Sequence, residues 1–243
     1  MPRTAILGAT GTIGSLLARR LSELGHDLAL LGRDGQALST LSQDVQQPSA
    51  IFDPRSSASL EDAIRTATAG DECNAIVNCI GSVLLKPAHA TSDDEFREVV
   101  ETNLFTSFAA IRAAGRLMQT GGGAVLLFAS AAAEIGLQNH EAIAAAKSGV
   151  IGLARSAAAT YSPANIRVNC ISPGLVRTKL TQRIWANPAG AKASAELHAL
   201  GRLGEPEHVV SLAVWLLDPA NDWMTGQVIG LDGGLSRVVP KRR

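Results

Sequence analysis

The sequence opens on a short apolar run, residues 4–7, that leads directly into Gly8-Ala9-Thr10-Gly11-Thr12-Ile13-Gly14. Leucines then recur with helical period over residues 15–24. Glycines in such a turn permit a tight bend, a close approach of the backbone to a pyrophosphate, and close packing of the helix on the strand. The N–H groups that open the helix complement an anion. The stretch therefore predicts a strand–turn–helix unit that binds a dinucleotide.

The same alternation of strand and helix continues along the chain. Most of the apolar runs lack polar alternation, which is typical of parallel strands covered on both faces. We predict strands at residues 4–7, 27–31, 50–52, 75–80, 124–128, 167–171 and 227–231. This pattern predicts an α/β fold, a Rossmann-type doubly wound parallel sheet of about seven strands with helices on both faces.

No linker or repeat interrupts the alternation, so we expect residues 1–243 to form a single dinucleotide-binding α/β domain. One stretch, 177–204, breaks the rhythm between the sixth strand and the last helix. Long connections inside a compact domain are often lids or binding loops. The stretch 177–204 is therefore predicted to be a substrate lid.

Several predicted helices carry start signals. Ser59-Leu60-Glu61-Asp62 and Ser92-Asp93-Asp94-Glu95 both resemble capping boxes. Pro206 fits the first turn of a helix that runs to residue 217. An alanine-rich pattern over residues 141–161 predicts one long helix.

The composition excludes several classes of function. The 243 residues include 22 Lys and Arg and 22 Asp and Glu, so the chain lacks the basic surplus of a nucleic-acid-binding protein. The longest strongly apolar run, 124–129, is far shorter than the ~20 residues that span a bilayer. The three cysteines lie in apolar settings and no Cys/His pair has zinc spacing, so we expect no metal site. Met1-Pro2-Arg3-Thr4 shows no secretory pattern, and we expect a soluble cytoplasmic protein that binds a small-molecule substrate, no nucleic acid and no membrane.

The end of the second predicted strand bears on the choice of dinucleotide. An acidic residue there would accept hydrogen bonds from the ribose hydroxyls of NAD. The chain instead has Gly32 and then Arg33, and a guanidinium suits a 2′-phosphate through charge-assisted hydrogen bonds. The following Asp34 is interpreted as the N-cap of the next helix. The sequence thus favours NADP(H) as the cofactor, with NAD(H) as the alternative.

Seven further motifs follow one another along the chain. In chain order they are Asp53 after the third strand, Asn78-Cys79-Ile80-Gly81, Asn103 within Glu101-Thr102-Asn103-Leu104, Ser130, Ala144-Ala145-Ala146-Lys147-Ser148-Gly149, Pro173-Gly174 with Val176 and Thr178, and Leu231-Asp232-Gly233-Gly234. In type and order these motifs resemble those of the short-chain dehydrogenase/reductase family, in its short single-domain branch, over essentially the whole chain.

The resemblance implies roles for individual residues. It implies that Ser130 hydrogen-bonds the substrate oxygen, that Asn103 holds a water in a proton relay, and that Lys147 holds the cofactor's ribose. It further implies a homodimer or homotetramer that uses the small-residue face of residues 141–161 and the apolar C-terminal segment. The cofactor-binding set is Gly8, Thr10, Gly11, Thr12, Ile13, Gly14, Arg33, Asp53, Asn78, Gly81, Lys147, Pro173, Gly174, Val176 and Thr178.

The chain departs from the family pattern in two places. Family members of this length usually place the middle glycine of the turn at Thr12, whereas this chain has it at Gly11. The second departure concerns the chemistry, because the family's tyrosine four residues before the lysine is here Ile143. Ser130 lies thirteen residues before Ile143, the usual spacing, which supports this register. The chain's single tyrosine, Tyr161, lies 14 residues beyond Lys147, about 21 Å along a continuous helix.

Another group would have to move the proton. His140 lies three residues before Ile143, on the same face if the helix has begun there, and an imidazole titrates near neutrality. A desolvated Lys147, Glu134, Glu141, or a water held by Asn103 and Lys147 are the alternatives.

Three functions compete at this point. The first is an NADP(H)-dependent oxidoreductase that acts on a carbonyl/alcohol pair or an activated double bond, with catalytic residues Ser130, Lys147, Asn103 and His140. The second is a dinucleotide-binding protein without redox turnover, which would serve as a sensor or partner subunit. The third is a non-redox lyase or isomerase on the same scaffold.

Overall fold

The computed structural model of the chain describes residues 3–70 and 72–240. Its seven strands are β1 (Arg3–Leu7), β2 (Asp27–Gly32), β3 (Ser49–Ile51), β4 (Ala75–Asn78), β5 (Gly123–Phe128), β6 (Ile166–Pro173) and β7 (Val228–Leu231). They form one parallel sheet in the order β3-β2-β1-β4-β5-β6-β7. The predicted doubly wound sheet is confirmed, and the strand order reverses between β1 and β4, where a crevice opens at the carboxyl ends of the strands.

Nine α-helices connect and extend these strands in the described part of the chain. They are α1 (Thr12–Glu23), α2 (Gly35–Val45), α3 (Ser57–Ala67), α4 (Asp93–Val100), α5 (Thr106–Leu117), α6 (Glu141–Tyr161), α7 (Gln182–Trp185), α8 (Pro188–Leu197) and α9 (Pro206–Leu217). A π-helical turn, Glu101–Phe105, joins α4 to α5. Strand side chains alternate between two cores: Ile6 packs with α1, α2 and α9, whereas Leu7 packs with α3, α5 and α6.

Most of the predicted helix starts are confirmed. Ser92 forms a capping box with Glu95 at the start of α4, and Pro206 is the first residue of α9. The prediction that Ser59 opens a helix is wrong. Helix α3 begins at Ser57, because the side chain of Ser56 accepts the N–H of Ser59 at 3.1 Å and caps the helix one turn earlier. The hydroxyl of Ser59 instead accepts the N–H of Asp53 at 2.9 Å.

Of the expected single domain, residues 1–2, 71 and 241–243 lie outside the described residues. None of the helices between residues 3 and 240 is long and apolar enough to cross a membrane. Within the same described ranges, no three His, Cys, Asp or Glu side chains come together as a potential metal site.

Candidate active site

A cavity of about 650 Å³ lies over the carboxyl ends of the central strands. The glycine turn, the segments that follow β4, β5 and β6, and the start of α6 contribute to its wall. The cavity brings together twelve of the predicted site residues: Gly11, Thr12, Ile13, Gly81, Asn103, Ser130, His140, Lys147, Pro173, Gly174, Val176 and Thr178.

Six other predicted residues do not line this cavity: Gly8, Thr10, Gly14, Arg33, Asp53 and Asn78. Gly8 and Gly14 pack against each other inside the glycine turn, since a Cβ at Gly14 would overlap the carbonyl oxygen of Gly8. Arg33 and Asp53 are exposed beyond the carboxyl ends of β2 and β3.

The glycine turn has the shape that a pyrophosphate needs. Gly8 has a φ of +72°, and the N–H of Gly11 closes the turn on the Gly8 carbonyl at 3.0 Å. Gly11 is the N-cap of α1 and supplies no side-chain cap. The first N–H groups of a helix have no intrahelical partner, so an uncapped start of this kind can accept an anion. The residues present therefore fit a dinucleotide.

Asp34 has the structural role predicted for it. Its Oδ1 accepts the N–H of Ala37 at 3.0 Å and caps α2. The side chain of Asp34 is thus occupied, while Arg33 beside it is exposed and forms no hydrogen bond or ion pair within the described chain.

Two buried asparagines fix the floor of the site. Asn78 donates to the hydroxyls of Thr106 and Ser107 at 3.1 and 3.2 Å, which ties the end of β4 to α5. Asn103 is fully buried in the π-helical turn, and its Oδ1 accepts the N–H of Ser82 at 3.2 Å. Asn103 is thereby held rigidly at the wall of the cavity.

Lys147 projects from α6 into a narrow slot. Its Nζ donates to the carbonyl oxygen of Phe128 at 2.8 Å, and the residue is only 7% exposed. A Cβ at Gly81 would lie 3.7 Å from this Nζ and 3.2 Å from Asn103 Oδ1, so Gly81 leaves the slot open. Burial lowers the pKa of Lys147 to about 8, against a smaller opposing effect of Cys170.

Ile143 lies one helical turn before Lys147, is 3% exposed, and lines the same cavity. Tyr161, the only tyrosine in the sequence, ends α6 and packs into the core around Gly115, away from the cavity. No phenol therefore faces the site.

His140 is the N-cap of α6 and lines the cavity beside Ile143. Its Nδ1 lies 2.7 Å from the carbonyl oxygen of Gln138. A carbonyl only accepts hydrogen bonds, so Nδ1 carries the hydrogen and Nε2 carries the lone pair in the neutral ring. Across the described residues, no protein group bonds to Nε2.

The two candidate glutamates do not line the cavity. The carboxylate of Glu134 is paired with Arg237, and Glu141 is exposed on the first turn of α6. Ser130 does line the cavity, and its Oγ accepts the N–H of Ala132 at 3.2 Å, which leaves the hydroxyl hydrogen free to donate.

The 177–204 segment, predicted to be a lid, contributes to the cavity wall through individual contacts that sequence reasoning missed. Lys179 N donates to Thr12 Oγ1 at 3.1 Å, so the segment is joined to the glycine turn. His198, 4% exposed, accepts the N–H of Leu175 through Nε2 at 3.1 Å, and its Nδ1 lies 2.7 Å from the carbonyl oxygen of Ser194. Gly174 makes room for this ring, since a Cβ there would meet Nε2 at 2.5 Å. In the sequence, Gly174 was the only feature that indicated the contact between the His198 ring and Leu175.

Comparison with known proteins assigns the chain to a family. The family model described as enoyl-(acyl carrier protein) reductase matches residues 8–236. The NAD-dependent glycerol dehydrogenase of Listeria innocua is 30% identical, over 94% of this chain and 91% of that protein. The galactitol 2-dehydrogenase (L-tagatose-forming) of Cereibacter sphaeroides is 31% identical, over 95% and 93%.

Solved structures agree with these relatives. A short-chain type dehydrogenase/reductase from Mycobacterium ulcerans superposes with a TM-score of 0.92 at 28% identity, over 97% of this chain and 90% of that one. A putative gluconate dehydrogenase from Agrobacterium tumefaciens gives a TM-score of 0.91 at 27% identity, over 98% and 97%. Together with the matched family model, the parallel sheet and the motifs that surround the cavity, these likenesses place the chain in the short-chain dehydrogenase/reductase family of oxidoreductases.

Proposed function

We propose that the protein is an NADP(H)-dependent oxidoreductase that transfers hydride to or from a carbonyl/alcohol-type substrate without a tyrosine acid or base. The observation that carries this proposal is one cavity that joins the uncapped start of α1 to Ser130, Lys147 and His140, with the hydrocarbon of Ile143 between His140 and Lys147 along the chain. The nicotinamide, when bound, supplies or accepts the hydride.

The chain's own groups orient the reactants. The Ser130 hydroxyl donates to the substrate oxygen and polarises it. Lys147 holds the ribose hydroxyls from its slot beside Phe128, and Asn103 fixes the wall behind it. The exposed side chains of Arg33 and Asp53 would border the adenosine half of a bound dinucleotide.

We assign to His140 the role of proton acceptor in alcohol oxidation and proton donor in carbonyl reduction. In alcohol oxidation the hydroxyl proton passes to Nε2 and the ring becomes an imidazolium, while the hydride leaves the carbon. In carbonyl reduction the imidazolium returns that proton to the oxygen. Gln138 stabilises the ring in the required tautomer through its carbonyl, which accepts from Nδ1.

A turnover assay tests this proposal. The protein is incubated with NADPH and a panel of aldehydes, ketones and quinones, and the absorbance of the reduced cofactor is followed. We expect slow consumption that His140→Ala lowers by about 10² or more, with unchanged NADPH affinity. The matched control is His89→Ala, which alters an exposed histidine away from the cavity. Undiminished turnover in His140→Ala would remove the histidine from the mechanism.

A second function, dinucleotide binding without redox turnover, is favoured by Ile143 alone, because isoleucine has no titratable proton. In that case the protein would bind NADPH and consume none across the whole panel. The same experiment therefore decides between an enzyme and a sensor or partner subunit.

The preference for NADP(H) rests on Arg33, which is exposed beside Asp34, whose carboxylate is engaged in capping α2. One relative is named as NAD-dependent, so the two dinucleotides need separate titrations. We expect Arg33→Ala to weaken NADPH binding about tenfold or more, since charge-assisted hydrogen bonds contribute ~1.5–3 kcal/mol, and to leave NADH binding unchanged. Equal losses for both dinucleotides in calorimetry would contradict the preference.

We also propose that 177–204 acts as a substrate lid within one domain and that the protein is a homodimer or homotetramer. The bond between Lys179 N and Thr12 Oγ1 supports the lid. The exposed small residues Ala145 and Gly152 on α6, with Phe108 on α5, support association.

A further inference from the structure

Aliphatic side chains make up much of the cavity wall. They include Val83 and Leu85 from the segment after β4, Ile143 from α6, and Leu180, Ile184 and Leu197 from the 177–204 segment. Three separate parts of the chain thus contribute aliphatic side chains to one cavity.

Four of these side chains form an exposed apolar rim. Val83 is 38% exposed, Leu85 41%, Leu180 53% and Leu197 54%. Leucines at the mouth of a cavity gain free energy when a ligand removes them from water, in proportion to the apolar area that is covered. Single exposed leucines are ordinary, but several exposed apolar side chains that line one cavity indicate a binding surface.

The cavity carries almost no charge. Lys147 is the only Lys, Arg, Asp or Glu among the described residues that line it. No carboxylate is therefore present to accept the hydroxyl hydrogens of a sugar alcohol.

Some polar side chains of the cavity wall are already bonded to the protein. Thr181 Oγ1 donates to the carbonyl oxygen of Val176 at 2.5 Å, and both ring nitrogens of His198 are occupied by Leu175 and Ser194. A polyol hydroxyl that meets these groups or the aliphatic wall would lose its water without gaining a partner, which is unfavourable. The lining side chains that keep hydrogen-bonding capacity include Ser130, His140, Gln138 and Ser194.

We propose that the substrate has a single carbonyl or hydroxyl group on a hydrocarbon body, and that this body lies between the rim leucines and Ile143. The chemistry at the oxygen rests on the proposed function, whereas the choice of an apolar body rests on the cavity alone. This chain would therefore differ in substrate class from the relatives named for glycerol and galactitol.

The test measures binding rather than turnover. Straight-chain 2-ketones from butanone to decan-2-one, and galactitol as the polyol probe, are titrated into the protein with and without NADPH. Trp185 in the 177–204 segment, which donates to the carbonyl of Thr178 at 2.9 Å, provides a fluorescence readout beside calorimetry. We expect the affinity to rise about threefold to fourfold per added CH₂, and galactitol to bind at least 100-fold more weakly than the longest ketone.

Substitutions of two exposed leucines test whether binding takes place at this cavity. Leu180→Gln and Leu197→Gln should each flatten the dependence on chain length, while Leu24→Gln, which is 44% exposed outside the cavity, should not. A flat series in the wild type, or galactitol binding as tight as decan-2-one, would overturn the proposal. NADPH titrated alone tests the proposed function separately. Ketone binding without dinucleotide binding would contradict the proposed function and still support the apolar substrate site.

Discussion

Ile143 and Lys147 face the same cavity because four residues make about one turn of an α-helix. The isoleucine occupies the place one turn before the lysine, where the nearby ammonium would lower the pKa of a phenol. Hydride transfer still draws on proximity and on the groups that polarise the substrate oxygen. Under the proposed function, we therefore expect a hydrocarbon at this position to slow the proton step and to leave the binding of both reactants intact.

Ile143→Tyr should restore that proton donor. In the His140→Ala background, where the histidine no longer supplies the proton, we expect Ile143→Tyr to raise the turnover rate in the NADPH assay by about 10² to 10⁴, the usual contribution of a positioned general acid. Ile143→Phe is the matched control, since it adds the same ring without the hydroxyl and should give no such gain. Equal rates in the two variants would show that the phenol is not the missing group.

Lys147 should make stability depend on pH in a definite window. Burial lowers its pKa in the folded protein to about 8, from 10.5. Between these values the unfolded chain holds a proton that the folded chain has lost, so stability rises as the pH increases. Relative to Lys147→Met, the wild-type free energy of unfolding should increase by about 3 kcal/mol between pH 8 and 10.5. Denaturant titrations of both proteins check this, and parallel pH curves would contradict it.

At this scale the sequence identified the side chains but not their bonding. Ser130, Lys147 and Asn103 could be found because they sit at fixed places in motifs. The tautomer of His140 could not, because it depends on the Gln138 carbonyl in an irregular loop. The ring contacts of His198 were equally hidden, since its partners Leu175 and Ser194 lie 23 and 4 residues away with no periodic pattern to relate them.

The glycine turn shows how one element combines packing with binding. Gly14 lies against the Gly8 carbonyl, so the start of α1 sits closer to β1 than any side chain would allow. That approach sets the position of the open N–H groups of the helix. Local sequence predicted this element well, because glycine spacing and the leucine stripe after it agree.

Gly14→Ala should therefore abolish or strongly weaken dinucleotide binding, because its Cβ would overlap backbone atoms that cannot move as a flexible side chain would. Calorimetry with NADPH measures the loss, and thermal unfolding shows whether the fold persists. Gly152→Ala is the control, since a Cβ at this exposed position of α6 meets nothing within 4 Å. It should leave binding unchanged and stabilise the isolated chain by about 0.5–1 kcal/mol.

Elements with weak periodicity were the hardest to predict. The short helices α7 and α8 within 177–204 bury no residue fully and are rich in small side chains, so neither a stripe nor a strong propensity marks them. The start of α3 was misplaced because Ser56 and Ser59 are chemically equivalent as caps. Only the surrounding hydrogen bonds distinguish them.

Across the whole molecule, the doubly wound parallel sheet of seven strands was the most predictable feature. Apolar strands without alternation require cover on both faces, and right-handed crossovers leave few ways to arrange them. The association of chains is less constrained, since the exposed faces of one protomer do not by themselves determine the number of partners. Phe108, 45% exposed on α5, and Trp223, fully exposed near β7, are exposed aromatic side chains on two surfaces where association can be tested.

The oligomeric state can be checked on those two surfaces. We expect Phe108→Glu to reduce a dimer to a single chain of 25.3 kDa in sedimentation velocity, because a carboxylate in an apolar interface is strongly unfavourable. Trp223→Glu should reduce a tetramer to a dimer and leave a dimer unchanged. Leu24→Glu, at a similarly exposed leucine on the far side of the glycine turn, serves as the control. Wild-type protein that sediments at 25.3 kDa would contradict both association states.

The hydroxyl of Thr12 accepts the N–H of Lys179, so the glycine turn is joined by a hydrogen bond to the 177–204 segment, which we propose to be a lid. This shared contact has a consequence for the timing of each catalytic cycle. Under the proposed function, we expect a dinucleotide on the glycine turn to leave only after this hydrogen bond breaks, and a hydrocarbon substrate to leave past the rim leucines without breaking it. Steady-state kinetics should consequently follow a compulsory order, in which the nucleotide binds first and dissociates last. Nucleotide dissociation should then limit kcat.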